Sequence, residues 1–125
     1  MNEGVQASAA PRPVGRYPHA RRVGDLLFLS GIGPRDAATD AIPNGIEAQT
    51  RQTLDNLVHS PECAGLGLEA VPQVLIYVTD RSYLAAVNAI YGEYFQAPYP
   101  NRAAVVVAGL AREEMLVELV VYACL

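Results

Sequence analysis

Met115-Leu116-Val117-Glu118-Leu119-Val120-Val121-Tyr122-Ala123-Cys124-Leu125 closes the chain with one carboxylate among uncharged residues. A stretch this apolar, without alternation, reads as a strand covered on both faces. An ionised carboxylate inside it costs several kcal/mol unless something pairs it. Upstream lies a second such stretch, Ala103-Ala104-Val105-Val106-Val107-Ala108, opened by Arg102. One acid and one base, each isolated on an apolar strand, make a candidate site and candidate partners for one another.

Working outward, the turn around Arg112-Glu113-Glu114 separates these two strands. A helix precedes them: Asp80 or Ser82 caps it, Leu84, Val87, Ile90, Tyr91, Tyr94 and Phe95 form its apolar face, and Pro98 and Pro100 end it. Val74-Leu75-Ile76-Tyr77-Val78 is another buried strand. An earlier helix starts at Asn44, with Glu47 as its capping-box partner, carries Ile46, Thr50, Leu54, Leu57 and Val58 on one face, and stops at Pro61, Gly65 and Gly67. Arg22-Val23-Gly24-Asp25 reads as a hairpin turn leading into the strand Leu26-Leu27-Phe28-Leu29, which ends at Ser30-Gly31. Residues 1–13 are expected to form a flexible arm, and 14–125 a single domain.

The order is two or three strands, a helix, a strand, a helix and a closing pair of strands. That is an α+β layout: one mixed sheet with two helices on one face. Two helices cover one face only, so a second copy of the chain is expected to bury the other, as a homo-oligomer.

Absences exclude several chemistries. All nine basic residues are arginine, so Schiff-base chemistry through a protein lysine, including the usual attachment of pyridoxal phosphate, is ruled out. His19, His59, Cys63 and Cys124 lack metal-ligand spacing. Both cysteines are expected to be reduced and structural. No cofactor and no metal are expected. A net charge of −4 and the lack of a basic-aromatic stripe argue against nucleic acid. No apolar run reaches the roughly 18–20 residues of a transmembrane helix. The first residues lack the basic-then-apolar order of a secretory signal, so cytoplasmic residence is expected.

Several pieces together resemble the RidA/YjgF family of small imine and enamine deaminases. They are Val14-Gly15-Arg16-Tyr17, Leu29-Ser30-Gly31, Ala48-Gln49-Thr50-Arg51-Gln52-Thr53-Leu54-Asp55-Asn56-Leu57, Val87-Asn88-Ala89-Ile90-Tyr91, Pro100-Asn101-Arg102-Ala103-Ala104-Val105 and Val117-Glu118-Leu119. The resemblance implies a chorismate-mutase-like homotrimer with active sites between subunits, acting without cofactor on a small imino or enamino carboxylate. A narrower likeness, through Gly15-Arg16-Tyr17-Pro18-His19, Arg22 to Gly31 and Arg35, is to the 2-aminomuconate deaminase branch. The loops Arg35–Ile46 and Phe95–Arg102 are short for such proteins, and Ala104 stands where many members carry cysteine. These departures leave the substrate open.

On this resemblance Arg102 is the carboxylate anchor, gripping it through two parallel hydrogen bonds. Glu118 activates water, its pKa raised by desolvation and lowered again by a nearby arginine. Ser30 and Gly31 offer backbone N–H groups at a strand end, glycine permitting close approach. Tyr17 lines the cleft as a hydroxyl donor and Asn88 as a polar wall. Arg16, His19 and Arg35 form a candidate second anion subsite for a dicarboxylate. Arg51, Asp55 and Asn56 are read as structural, on the polar side of the first helix. The competing function is a small-carboxylate-binding or chaperone-like trimer that keeps the cleft without turnover.

Overall fold

The computed structural model describes residues 2–5, 9–62 and 65–125. Six strands and two helices follow in the order β1 (Asn2–Val5), β2 (Ala20–Val23), β3 (Leu26–Leu29), α1 (Ile46–Glu62), β4 (Gln73–Val78), α2 (Leu84–Tyr94), β5 (Asn101–Val106) and β6 (Val117–Cys124). They form one sheet in the order β1-β2-β3-β6-β4-β5. β4 and β5 run parallel and every other pair is antiparallel. The expected α+β layout, a mixed sheet with two helices on one face, is the architecture found. The segment expected as an arm carries a strand, β1, which pairs with β2 at the edge of the sheet.

Alternation in β6 decides what lies where. Val117, Leu119, Val121 and Ala123 are buried, whereas Glu118, Val120 and Tyr122 between them are only partly so. The first set faces α1 and α2 and joins Leu27, Leu54, Leu57, Ile76 and Val87 in the core. The second set shares the other face with Phe28, which meets Tyr122 edge-on at 5.6 Å. Phe28 is 40% exposed and Val105 44% exposed, so this face carries uncovered apolar surface. All of β5 is exposed at the sheet edge, and the strand expected to be buried is therefore open in a single chain.

Helix starts and stops differ in detail from expectation. α1 begins at Ile46, with the Gly45 carbonyl accepting from the Gln49 N–H at 3.0 Å. No capping-box bond joins Asn44 and Glu47 among the described residues. Gly45 lies at φ +88, a left-handed entry that a Cβ would strain. The helix also runs through Pro61 to Glu62 rather than stopping before it. Asp80 does cap, accepting from the Ser82 N–H at 2.8 Å in a short 3-10 turn that leads into α2.

The buried side of α1 is more polar than its apolar periodicity suggests. Asn56, expected to be structural on the polar side of this helix, is 3% exposed. Its Nδ2 donates to the carbonyls of Gly33 at 2.9 Å and Arg35 at 2.7 Å. Gln49, two helical turns earlier, accepts from the Leu116 N–H at 2.7 Å and donates to the Glu114 carbonyl at 2.8 Å. These amides tie the 33–35 loop and the entry to β6 onto the helix. Arg51 and Asp55 behave as the structural residues expected: Arg51 forks onto Glu93 with both bonds at 3.0 Å, and Asp55 accepts from the Tyr94 hydroxyl at 2.6 Å. Cys124 is free and exposed, and Cys63 lies outside the described residues. Among the described residues no helix is long and apolar enough to cross a membrane.

Candidate active site

Ser30 and Gly31 leave β3 and run beside β6, fixed by the paired bridge in which Ile32 and Leu119 exchange hydrogen bonds at 2.8 Å each. That bridge brings Gly31 against Glu118. A Cβ built on Gly31 would stand 2.7 Å from the Glu118 Oε2 atom, so only glycine leaves the carboxylate in place. The Gly31 N–H makes no hydrogen bond among the described residues. Ser30 differs from expectation: its N–H donates to the His19 carbonyl at 2.9 Å and its hydroxyl to the Pro18 carbonyl at 2.7 Å. Both donors are engaged in the fold, and Gly31 alone of the two offers a backbone donor.

A cavity of about 120 Å³ opens here. Tyr17, His19, Ser30, Gly31, Arg35 and Glu118 all line it, so the fold gathers most of the sequence-derived site residues into one place. Glu118 is partly buried and makes no hydrogen bond or ion pair among the described residues. Desolvation is the one cause that pushes its carboxyl above the ordinary value of 4.5. The counteracting arginine expected from the sequence is absent from its surroundings in one chain.

The strand register explains why. Arg102 pairs with Val74, and Val74 with Val121; Glu118 pairs with Tyr77, and Tyr77 with Val105. An odd number of positions separates Val74 from Tyr77, so Arg102 and Glu118 project from opposite faces of the sheet. Three residue rises and two strand spacings separate them, roughly 14 Å between Cα atoms. The direct pair expected from the two apolar strands does not form within the chain. Arg102 instead lies over the Tyr91 ring of α2, 4.9 Å from its centroid. Asn88, exposed on α2, stands three residues before Tyr91 on the adjoining turn.

The candidate residues therefore fall into two groups in different parts of the chain. One, around the cavity, holds the Glu118 carboxylate and the Gly31 N–H. The other, on α2 and β5, holds the Arg102 guanidinium and the Asn88 amide. Of the expected second anion subsite, His19 and Arg35 line the cavity and Arg16 does not. His19 Nε2 is 2.7 Å from the Pro11 carbonyl. Arg35 is engaged by Asp40 and by the Arg12 carbonyl. Sequence reasoning missed Arg112, Met115, Asn56, Pro11, Pro13 and Val14 as cavity walls. Polar residues recurring at Gln49, Thr53, Asn56 and Ser60, every three or four positions, were the signal for the polar side of α1 that packs inward.

The endoribonuclease L-PSP family model matches residues 7–125. A RutC family protein of Pyrococcus horikoshii is 37% identical over 124 residues, covering 98% of each chain. The 2-iminobutanoate/2-iminopropanoate deaminase of Escherichia coli K12 is 32% identical over 116 residues, covering 90% of this chain and 91% of its own. Among solved structures, RidA from an Antarctic Psychrobacter superposes with a TM-score of 0.94 at 32% identity, covering 98% of this chain and 99% of that one.

Proposed function

The chain belongs to the RidA/YjgF family, and on that premise we propose that it hydrolyses a reactive 2-imino or enamino acid to the 2-oxo acid and ammonia, without a cofactor. The observation that carries this reading is the Glu118 carboxylate, raised in pKa by burial and set against the free N–H of Gly31 in one cavity. The carboxylate anchor is on the other sheet face of the same chain. A homotrimer in which one copy's Arg102 edge meets the next copy's Glu118 cavity completes the site. Uncovered apolar residues on the Glu118 face of the sheet, Phe28 and Val105 among them, support that assembly.

In this site Arg102 holds the substrate carboxylate through paired N–H donors. An enamine first takes a proton from solvent on its β-carbon, the C=C π pair forming the new C–H bond and the nitrogen lone pair the C=N bond of the iminium. Water then attacks C2: its oxygen bonds to carbon, Glu118 accepts its proton, and the C=N π pair moves to nitrogen. The Gly31 N–H donates to this oxygen, whose electron density rises when the hydroxyl later loses its proton. Glu118 returns the proton to nitrogen, the C–N bond breaks with its electron pair on nitrogen, and the carboxylate takes the hydroxyl proton as the carbonyl forms, then releases it to solvent. An iminium is already electrophilic, so positioning and one proton shuttle suffice.

The substrate favoured has one carboxylate. Arg35 is held by Asp40 and the Arg12 carbonyl, and Arg112 by Glu114 at 3.4 Å, so the cationic groups of the cavity already have anionic or carbonyl partners. That arrangement favours a 2-iminopropanoate-type acid over a dicarboxylate such as 2-aminomuconate.

The test is to generate 2-iminopropanoate and 2-aminomuconate separately in situ and follow ammonia release. The reading expects turnover of the first and its loss in Arg102→Ala. Substantial activity in that variant would sink it. Tight binding of pyruvate without turnover would favour the non-catalytic trimer.

A further inference from the structure

Tyr91 is the buried aromatic that the proposed chemistry leaves without a task. It is 6% exposed, and Phe95 stacks on its ring at a centroid distance of 4.5 Å and an interplanar angle of 25°. Its hydroxyl has no hydrogen-bond partner among the described residues. Arg102, on the exposed edge strand, makes no hydrogen bond or ion pair among the described residues. The Tyr91 ring is the contact its guanidinium does make.

We infer that Tyr91 is a positioning residue: its ring is a platform that presets the Arg102 guanidinium for the substrate carboxylate. A long side chain on an open strand samples many rotamers, and ordering it when substrate arrives weakens binding. A cation held over a π face is ordered beforehand. The π contact uses no N–H donor, so the guanidinium keeps its full set for a bidentate carboxylate. A hydrogen-bonded partner in the same place would occupy one or more of them. Phe95 stacks on the ring and fixes its tilt in turn. With no hydroxyl partner among the described residues, the platform needs the aromatic face and not the phenol, so phenylalanine should serve as well.

The inference rests on the reading of Arg102 as the anchor, and two readouts separate the failures. In the full chain, Tyr91→Phe and Tyr91→3,4,5-trifluorophenylalanine keep the ring's shape while the second weakens its negative face. Apparent KM for 2-iminopropanoate should match wild type in Tyr91→Phe and rise about threefold in the fluorinated variant, with kcat unchanged. Equal KM in the two would overturn the platform. The Arg102 Nε–H resonance, assigned by its loss in Arg102→Lys, should be shifted upfield by the ring in wild type and in Tyr91→Phe. It should move downfield in Tyr91→Leu, and a wild-type resonance at an ordinary arginine position would also overturn the platform. A wild type with the upfield resonance but no turnover leaves the platform standing and removes the deaminase reading instead.

Discussion

The Glu118 carboxylate rests against the backbone of Gly31, so closely that a methyl group on Gly31 would fall 2.7 Å from Oε2. Acid and backbone donor thus share one wall of the cavity. Gly31→Ala must displace the carboxylate or the strand that carries it. Turnover should fall about tenfold or more, equivalent to roughly 1.4 kcal/mol at the barrier, while the melting temperature shifts little because Gly31 is exposed. Wild-type kcat in Gly31→Ala would show that Glu118 does not need its present place.

Opposite-face placement of Arg102 and Glu118 makes a sharper demand. Arg102→Ala and Glu118→Gln should each be inactive alone, yet a co-refolded equal mixture should regain about a quarter of wild-type activity if subunits mix at random around a closed ring. That fraction counts interfaces where an intact Arg102 from one copy meets an intact Glu118 from the next. No recovery in a mixture whose mixed oligomers are verified by mass would place both groups in one chain's site.

Burial raises the Glu118 pKa above 4.5, and linkage fixes the sign of the effect. The folded state binds the proton more tightly than the unfolded chain. Its contribution is therefore fully present below the unfolded value and is lost as pH rises through the folded one. Arg102→Ala provides a background free of the guanidinium that the proposed trimer would bring to Glu118. There, adding Glu118→Gln should raise the melting temperature more at pH 8 than at pH 4. A gain independent of pH would mean that Glu118 stays charged and solvated.

Asn56 holds the cavity's back wall through the Gly33 and Arg35 carbonyls. Asn56→Leu leaves both acceptors facing an apolar side chain, which should cost about 2–4 kcal/mol in urea unfolding. Asn56→Asp keeps the shape but loses the donors, and should be similarly damaging. A change below about 0.5 kcal/mol would mean that the loop finds other partners.

The oddity of Glu118 in an apolar strand was legible, because one charged residue among apolar neighbours stands out whatever the fold. The helix faces were legible too: Val87, Ile90 and Tyr91 follow a helical period and are the residues α2 buries. Asn56 was legible only in part: it was read as structural on the polar side of α1, but that this side packs inward depends on the Gly33 and Arg35 carbonyls it serves. The engagement of both Ser30 donors was not legible, because it depends on where Pro18 and His19 return alongside.

By itself the sequence determined the α+β order, the absence of a lysine nucleophile and the two lone charges, Arg102 and Glu118, on apolar strands. Those follow from local periodicity and composition, which need no partner. The tertiary structure alone decided that Arg102 and Glu118 point away from each other. Side chains alternate along a strand, so the face each occupies depends on register across β4, and pairing between distant segments sets that register.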